Sequence, residues 1–515
     1  MHLDTAASKA GNKPAVIIAE TGKSISYHDF NQRSLQVSRW FWEHGLRFGD
    51  HIALMMENTP DNLILCTAAL RSGLYITPVN WHLAANEAAF VINDCGARVL
   101  FISEAVAGVA RQMANELPAG LITVSVDGTS MDSSNEDNLS LEKELSATPA
   151  SAAEGQEQLE GSIMLYSSGT TGKPKGIVQP LLRKPVSDDT QVLAMLMQGM
   201  YQFDDNAVYL CPAPLYHAAP LGWSLSVLQL GGTVVLEKRF NEQLTLQSIE
   251  KYKITHAQFA PIMFVRLLKL PKEQREGFDL STLKAVIHAA APCPVNVKHA
   301  MIDWWGPIIY EYYAGSEGGG FVAVGPEEWL QKPGTVGKAL MGVVHIVDDE
   351  NNEVATGETG TIYFESDARF EYHGDKKKTE ETYNAQGWNT LGDLGYLDED
   401  GYLFLTDRKS FMIISGGVNI YPQETENVLT LHPKVYDVAV IGIPHEEYGE
   451  EVKAVVQLTE SAEADADTEQ ELIDFCLENL SKFKCPRSVD FVDDMPRLPT
   501  GKLLKRTIRD RYWPS

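Results

Sequence analysis

One segment of the chain combines the residue types that hold a polyphosphate. The run from Tyr166 to Gly176 holds three glycines, two serines, two threonines and two lysines, and it follows the apolar run Ile163 to Leu165. Glycines let backbone N–H groups approach phosphate oxygens closely, hydroxyls add donors, and lysines add positive charge. The predicted phosphate-binding residues are Ser167, Ser168, Gly169, Thr170, Thr171, Gly172 and Lys175.

This loop is not a P-loop of the Walker A type. That motif needs four residues between its first glycine and its Gly-Lys pair, followed by a helix. Here two residues separate Gly169 from Gly172, and Pro174 follows Lys173. A P-loop kinase or ATPase is therefore disfavoured. The alternative to a phosphate-binding role for this segment is a solvated polar loop without a ligand.

Four dispersed side chains could do chemistry beside such a loop. Glu317 ends the block Tyr312–Glu317, and Asp393 follows Gly392; His217 ends Pro214–His217, and Lys502 follows Gly501. Carboxylates accept hydrogen bonds from hydroxyls and offer hard oxygens to Mg²⁺, and a lysine offsets phosphate charge. Considered singly, each of these residues could have a purely structural role: a histidine of the core, part of a glycine-rich turn, or a charge on the surface.

Together, in this order, these segments resemble the motifs of the adenylate-forming superfamily, in its acyl-CoA synthetase branch. The resemblance extends over nearly the whole chain. It implies an ATP-dependent acid–CoA ligase that makes an acyl-AMP with release of pyrophosphate, then an acyl-CoA with release of AMP. Its implied cofactors and co-substrates are ATP, Mg²⁺ and coenzyme A.

The resemblance assigns the nucleotide site by position. Tyr313 would stack on adenine, Ser316 would reach the α-phosphate, and Asp393 with Arg408 would hold the ribose. Glu317 and Thr170 would bind the metal. The remaining nucleotide positions implied are Ala290, Ala291, Pro292, Tyr312, Ala314 and Gly315.

The resemblance also assigns the other sites. His217 and Lys502 are catalytic, together with Glu317 and Thr170, with Lys502 bridging carboxylate, phosphate and ribose. Ser410 is the hinge where relatives carry Asp or Lys. The acyl-binding positions are His217, Ala218, Ala289, Gly315 and Gly318, and the coenzyme A-facing positions are Ser415, Gly416, Gly417 and Asn419.

Several positions depart from the family pattern. Ala289 and Ala314 replace glycines, Ser316 replaces a threonine, and Leu391 is inserted before Gly392. No carboxylate follows His217, which argues against an acid with an α-amine. The small residues near this pocket suggest space for a medium-chain, long-chain, aryl or steroid-type acid.

Two alternatives stay open beside the CoA ligase. The acyl group could pass to a carrier protein or be oxidised as in luciferase-like enzymes, or the chain could bind a nucleotide without catalysis. Retention of Lys175, Glu317, Asp393, Arg408 and Lys502 opposes the last of these.

Composition limits the partners. The chain has 515 residues with 43 basic and 70 acidic side chains, so its formal net charge is -27. Such a charge lacks the positive field that attracts nucleic acid or anionic lipid. We expect a cytoplasmic protein without a signal peptide or transmembrane segment, because prolines and glycines interrupt the uncharged stretch Asn206–Leu236. Oligomeric state, including a homodimer, stays open.

The elements that must position these residues alternate between strands and helices. This alternation predicts an α/β fold: a large N-terminal domain of stacked β-sheets with helices, and a small mobile α+β C-terminal domain. The expected boundaries are 1–406 for the adenylation core, 407–410 for the hinge and 411–515 for the small domain. The polar stretch Asp127–Gly161 is expected to be a surface excursion, and Lys502 is expected to head a terminal helix.

Overall fold

The computed structural model describes residues 3–127, 138–167, 174–186, 191–497 and 503–513. Its first third carries a six-stranded parallel sheet in the order β7-β6-β5-β3-β4-β8. The elements of this third are α1 Leu3–Ala10, β1 Pro14–Ile18, β2 Ser24–Ser26, α2 Tyr27–Glu43, β3 His51–Met55, α3 Pro60–Leu70, β4 Tyr75–Pro78, α4 Ala85–Asp94, β5 Ala97–Ile102, α5 Ala107–Met113, β6 Ile122–Ser125, β7 Asn138–Ser140, α6 Leu141–Leu145, β8 Ser162–Ile163 and β9 Leu165–Ser167.

The middle of the chain builds most of a thirteen-stranded mixed sheet. Its elements are β10 Lys175–Val178, α7 Val192–Tyr201, β11 Val208–Cys211, α8 Ala218–Leu230, β12 Thr233–Leu236, α9 Glu242–Tyr252, β13 His256–Phe259, α10 Pro261–Lys269, α11 Lys272–Arg275, β14 Ala285–His288, α12 Val295–Trp305, β15 Ile309–Ala314, β16 Phe321–Val324, α13 Pro326–Gln331, β17 Thr335–Met341, β18 Val343–Val347, β19 Gly360–Glu365, β20 Glu371–Tyr372, α14 Lys376–Thr382, β21 Asn389–Leu397 and β22 Leu403–Arg408.

The last hundred residues form a separate small domain. Its five-stranded sheet has the path β24-β23-β26-β25, with β27 parallel to β26. Its elements are β23 Ile413–Ser415, β24 Val418–Ile420, α15 Pro422–Leu429, β25 Val435–His445, β26 Gly449–Leu458, α16 Ala466–Asn479, β27 Ser488–Val492 and α17 Lys505–Arg509. The expected α/β architecture of a large sheet-rich domain and a smaller C-terminal domain is confirmed.

The two large sheets pack with helices between them. Helix α3 is apolar around most of its circumference, and Leu63, Ile64, Leu65 and Cys66 are all at most 1% exposed. A helix that is apolar on all sides must be covered on all sides. A single hydrophobic cluster accordingly joins α2, α3 and α8 to the facing sides of both sheets. Because this central layer is continuous, the large domain is a rigid support for the residues at its edges.

The parallel strands of the large sheet determine where the candidate residues lie. Strands β11, β13, β14 and β15 run parallel to one another. Their carboxyl ends therefore meet at the same edge, the usual place for a ligand site in an open α/β sheet. The segments that follow β11, β14 and β15 lead to His217, to Ala289–Pro292 and to Gly315–Glu317.

Two details differ from the expectations. The stretch 127–161 contributes to the core, because Leu141 and Leu145 on α6 are buried against α2. Helix α17 begins at Lys505, and Lys502 lies outside the described residues. The last strand of the large sheet continues to Arg408, and a turn follows before β23. Within the described ranges, no helix is both long and apolar enough to cross a membrane.

Candidate active site

The two ends of the predicted phosphate loop are held together by strand pairing. Ser167 on β9 lies directly opposite Lys175 on β10 in an antiparallel pair. Both residues are half-buried. The predicted residues Ser168, Gly169, Thr170, Thr171 and Gly172 lie outside the described residues of the chain. What the structure establishes is the anchoring of the segment that carries them.

Lys175 is oriented by a carboxylate that the sequence did not single out. Its Nζ lies 3.0 Å from Asp375 Oδ2. Asp375 is also the N-cap of α14, and its Oδ1 accepts the backbone N–H of Lys378 at 2.9 Å. These hydrogen bonds, the backbone one first, lower the pKa of Asp375. The ionised Asp375 carboxylate therefore holds the Lys175 side chain in place.

Tyr372 connects Lys175 to Glu317. Strand β20 pairs with β10, placing Tyr372 opposite Ile177. The Tyr372 hydroxyl donates to Glu317 Oε1 at 3.2 Å, and Lys175 Nζ lies 5.8 Å from the centre of the same ring. Burial, and then the negative charge of Glu317, raises the pKa of Tyr372, so its hydroxyl stays a donor. The predicted phosphate and metal residues thus converge on one tyrosine, although 142 positions separate Lys175 from Glu317.

Asp393 is the centre of a second cluster. The Tyr313 hydroxyl donates to its Oδ2 at 2.7 Å, and Arg408 Nε donates to its Oδ1 at 3.0 Å. Asp393 and Arg408 are direct partners on β21 and β22. Burial, and then the Asp393 charge, raises the pKa of Tyr313. Each carboxylate oxygen retains a further acceptor position, which suits recognition of a diol.

The inserted Leu391 does not displace Asp393. Gly392 adopts φ +80°, a left-handed conformation in which glycine carries no Cβ penalty, and its N–H bonds the Thr390 hydroxyl at 2.9 Å. Leu391 itself packs so closely on Gly315 that a Cβ at position 315 would collide with it. The backbone accommodates the inserted residue in the turn at Gly392. The Leu391 side chain fills space beside the predicted acyl site.

Tyr312 occupies the core rather than an exposed nucleotide surface. It is 8% exposed, its hydroxyl accepts a hydrogen bond from Gln258 Nε2 at 3.1 Å, and its ring stacks on Trp223 and Phe321. Successive residues of a strand point to opposite faces, so Tyr313 and Tyr312 cannot share one surface. The prediction of Tyr312 as a nucleotide-contacting side chain is corrected in this way.

The predicted adenine turn rests on a buried ion pair. Ala290 has φ +76° and is exposed, and Ala291 and Pro292 follow it on the surface. Beneath the turn, the fully buried Lys298 Nζ lies 2.7 Å from Glu311 Oε2. The pair joins α12 to β15 immediately beside Tyr312 and Tyr313. Burial lowers the pKa of the neighbouring His288, which keeps this imidazole neutral.

His217 begins the helix that faces the predicted acyl site. It is the N-cap residue of α8, whose thirteen residues include no charged side chain, and Ala218 is the first of them. Asn58 holds the preceding loop by donating to the Ala213 carbonyl at 2.9 Å and accepting the Leu215 N–H at 2.8 Å. Ala289 is 8% exposed at the end of β14. These elements present an apolar surface.

Three glycines near this surface are packed against larger side chains. A Cβ at Gly319 would collide with Asn389, and one at Gly320 would collide with Phe364. Leu391 occupies the Cβ position of Gly315 in the same way. Gly318 has φ +75°, and its Cβ position lies beside Gln179. These glycines permit close packing of neighbouring strands, so they carry no argument about the size of the acid.

The predicted coenzyme A-facing residues lie on an exposed hairpin of the small domain. Ser415 ends β23, and Gly416 and Gly417 form the turn with φ +58° and +80°. Asn419 on β24 is exposed. Ser410 is exposed in the turn after β22, where the Phe411 N–H bonds the Arg408 carbonyl at 2.9 Å. The described contacts do not join this hairpin to the Asp393 cluster.

The carboxylates of the site suit a metal that is shared with phosphate. Among the residues that the structure describes, no group of three or more His, Cys, Asp and Glu side chains could hold a metal alone. Mg²⁺ commonly takes one or two carboxylates and completes its shell with phosphate oxygens and water. Glu317, half-buried near Lys175, fits that role, and Thr170 lies outside the described residues.

Comparison with known proteins identifies the class of enzyme to which this chain belongs. The chain belongs to the AMP-binding enzyme family, which it matches over residues 3–371. Residues 424–502 match the AMP-binding enzyme C-terminal domain. The family match covers both domains of the fold.

Curated relatives span the chain almost completely. It is 29% identical over 509 residues to the fatty acid–[acyl-carrier-protein] ligase ScoC of Streptomyces coeruleorubidus, covering 97% of this chain and 93% of the relative. It is also 29% identical over 500 residues to the long-chain-fatty-acid–CoA ligase FadD13 of Mycobacterium tuberculosis, covering 97% and 95%. The two relatives differ in the acceptor of the acyl group.

Solved structures show the same fold. The amide bond synthetase McbA of Marinactinospora thermotolerans superposes with a TM-score of 0.82 at 25% identity, covering 99% of both chains. ATP-bound MatB of Rhodopseudomonas palustris gives 0.81, and apo MatB gives 0.70, both at 26% identity over 99% of both chains. The arrangement of this chain is thus more similar to the ATP-bound form.

Proposed function

We propose that this enzyme is an ATP-dependent acid–CoA ligase that works through an acyl-AMP. The observation that carries the proposal is the convergence of Lys175, Tyr372 and Glu317, with Asp393 and Arg408 as a second, preorganised cluster. A carboxylate and a triphosphate repel each other, and adenylation needs both in one place. Fixed cations and oriented donors offset that repulsion and the charge that develops at phosphorus.

Each residue has a defined role in this proposal. Asp393 accepts the ribose hydroxyls, with Arg408 keeping its carboxylate oriented. Lys175 places its charge beside the pyrophosphate that leaves, and Glu317 would hold Mg²⁺, which would supply charge neutralisation at the phosphates. Lys502 approaches from the small domain during adenylation. No side chain of the protein needs to form a covalent bond.

Thioester formation requires a change in the small domain. The hairpin Ser415–Asn419 is exposed in the present arrangement. In the proposal, a turn about Ser410 withdraws Lys502 and brings this hairpin to the acyl-AMP. A coenzyme A thiolate then attacks the acyl carbonyl, the carbonyl–phosphate oxygen bond breaks, and AMP leaves with the electron pair. The expected domain limits, 1–406, 407–410 and 411–515, belong to this proposal.

The acid in this proposal is apolar and has no α-amine. Helix α8 carries no charged side chain, and Ala218 and Ala219 follow His217. An α-ammonium group would need a carboxylate at this place, because a buried cation without a partner is costly. Medium-chain, long-chain, aryl and steroid-type acids all satisfy this condition.

The acceptor could instead be a carrier-protein phosphopantetheine. ScoC, a fatty acid–[acyl-carrier-protein] ligase, is as similar to this chain as FadD13, a fatty-acid–CoA ligase. The net charge of -27 does not distinguish the two acceptors, because coenzyme A is itself a polyanion. A luciferase-like oxidation would show light emission and oxygen consumption.

One assay pair tests the proposal. Pyrophosphate exchange is measured with octanoate, palmitate, benzoate, ferulate, cholate and alanine, and AMP release is then measured with and without coenzyme A. We expect exchange with at least one acid other than alanine, and AMP release that requires coenzyme A. Exchange with alanine alone, or with none of the acids, would contradict the proposal.

A further inference from the structure

Lys269 connects the large domain to the small one. It ends α10, and its Nζ donates to the carbonyls of Val435 at 2.6 Å and Tyr436 at 2.9 Å. These are the first two residues of β25. The same ammonium lies 5.5 Å from the centre of the Tyr436 ring. Burial lowers the pKa of Lys269 to about 8.

The strand that Lys269 contacts also anchors the segment that contains Lys502. Asp437, the third residue of β25, pairs with the Arg497 guanidinium; Arg497 Nη2 donates to its Oδ1 at 2.6 Å, and Nε bonds Oδ2. Arg497 immediately precedes residues 498–502. After that segment, Leu503 forms a backbone bridge with Arg497. Both ends of the segment are therefore tied to the start of β25.

The far side of the segment has a second anchor within the small domain. Lys505 Nζ lies 2.8 Å from Glu426 Oε1, and both side chains are less than 10% exposed. Glu426 in turn accepts the Val440 N–H on β25 at 2.7 Å. A displacement of β25 relative to α10 would therefore move Arg497, Leu503 and Lys505, the described residues on either side of 498–502, with it.

We propose that Lys269 is a positioning residue that holds the small domain in its adenylating arrangement. This inference rests on the proposed function, because it assigns to one arrangement the half-reaction that needs Lys502. The superposition is in keeping with it, since the chain matches ATP-bound MatB at 0.81 and apo MatB at 0.70. A contact made in one arrangement and broken in the other shifts the equilibrium between them. Lys269 must release the carbonyls of Val435 and Tyr436 before the thioester forms.

The test compares the two half-reactions in Lys269→Met, Lys269→Arg and a matched lysine control. Lys272→Met is the control, because Lys272 lies three residues away, is exposed and forms a surface ion pair with Glu276 at 3.5 Å. Adenylation is measured as pyrophosphate exchange with the acid from the panel above that gives the fastest wild-type exchange. Thioester formation is measured as AMP release when coenzyme A is added to enzyme carrying the preformed acyl-AMP.

We expect Lys269→Met to slow exchange about tenfold, which corresponds to losing ~1.4 kcal/mol of preference for one arrangement. AMP release from preformed acyl-AMP should be unchanged or faster. Lys269→Arg, which retains donors and charge, should restore at least half of the exchange rate, and Lys272→Met should behave as wild type. The ratio of the two rates distinguishes positioning from a general loss of stability, which would slow both.

Two results overturn the inference while leaving the proposed function intact. One is Lys269→Met exchange at the wild-type rate, and the other is an equal loss in both half-reactions. If Lys269→Met does not fold, Lys269→Gln replaces it in the same comparison. If wild-type enzyme shows no exchange with any acid, the proposed function fails instead, so the two failures are distinguishable.

Discussion

Tyr372 illustrates how single side chains join segments of this site that are far apart in sequence. Its hydroxyl contacts Glu317, and its ring lies beside Lys175. Neither Tyr372 nor Asp375 stands out in the sequence, because a tyrosine and an aspartate before a helix are common surface features. Only the pairing of β10 with β20 places them at the phosphate loop.

We predict that Tyr372→Phe weakens MgATP use without unfolding the enzyme. A hydrogen bond to a charged group contributes about 1.5–3 kcal/mol, so the KM for MgATP should rise about tenfold or more. Tyr402→Phe is the matched control, since the Tyr402 hydroxyl makes a bond of equal length, 3.2 Å, to Glu328 on the surface. Direct titration of MgATP in the absence of acid should show the same loss for Tyr372→Phe. Equal affinities for both variants would contradict the role of Tyr372.

Glu237 gives a prediction about pH at the same scale. Its side chain is 0% exposed, both of its oxygens accept from the Thr245 hydroxyl, and burial raises its pKa from 4.5 to about 8. The unfolded chain ionises first, so the stability associated with the protonated form is complete below about pH 4.5 and is lost as pH rises to about 8. The loss amounts to at most about 1.4 kcal/mol per pH unit.

Glu237→Gln should therefore stabilise the protein at alkaline pH. Urea midpoints of wild type and variant at pH about 5 and about 8 measure this, because other carboxylates contribute equally to both proteins. The urea midpoint of the variant minus that of wild type should be larger at pH about 8 than at pH about 5. A difference that does not change with pH would show that Glu237 is ionised in the folded state.

At the scale of elements, the glycines after Glu317 act through strand packing. Gly320 precedes β16, and Phe364 on β19 occupies the place of its missing Cβ. The two strands belong to the region of the sheet that carries Tyr313 and Asp393. Close packing here keeps the two site-bearing strands, β15 and β21, at a fixed separation.

We predict that Gly320→Ala destabilises the enzyme by about 1–3 kcal/mol, because an added methyl overpacks a full core. Gly277→Ala is the control, since nothing lies within 4 Å of its Cβ position. Thermal unfolding midpoints of the two variants give the comparison. The double change Gly320→Ala with Phe364→Leu should recover some of the loss. An unchanged midpoint for Gly320→Ala would mean that Phe364 moves aside freely.

At the scale of the whole molecule, the proposed mechanism has two domains sharing one active site. In it, the large domain contributes the residues at the carboxyl edge of its parallel strands, and the small domain contributes Lys502. Asp407 joins the two domains, because its Oδ2 accepts the Gln423 N–H at the start of α15 at 3.0 Å. In the proposed mechanism, movement at Ser410 therefore begins close to Arg408 and Asp393.

We predict that Lys502→Ala separates the two half-reactions. Adenylation should fall about a hundredfold or more, because one positioned charge at a transition state contributes about 2.7–4 kcal/mol. Thioester formation from supplied acyl-AMP should remain within a few-fold of wild type. Pyrophosphate exchange and coenzyme A-dependent AMP release measure the two steps. Parallel loss in both would place Lys502 in a structural role.

The order of motifs in the sequence determined the family, the two-domain architecture and the nucleotide chemistry. Short local motifs were enough for these predictions. Each motif combines glycine, hydroxyl and charged residues at a short spacing, and that spacing determines the local backbone geometry in every member of the family. The alternation of strand-like and helical segments also predicted the α/β fold class, because each element must bury an apolar face against another.

Only the tertiary structure decided which side chains meet. It buried Tyr312 against Trp223 while directing Tyr313 to Asp393, it filled the space beside Gly315, Gly319 and Gly320, and it brought Lys269 to β25. These outcomes depend on strand register and on packing between distant segments. A sequence pattern records neither, because the partner of each side chain comes from a distant segment of the chain.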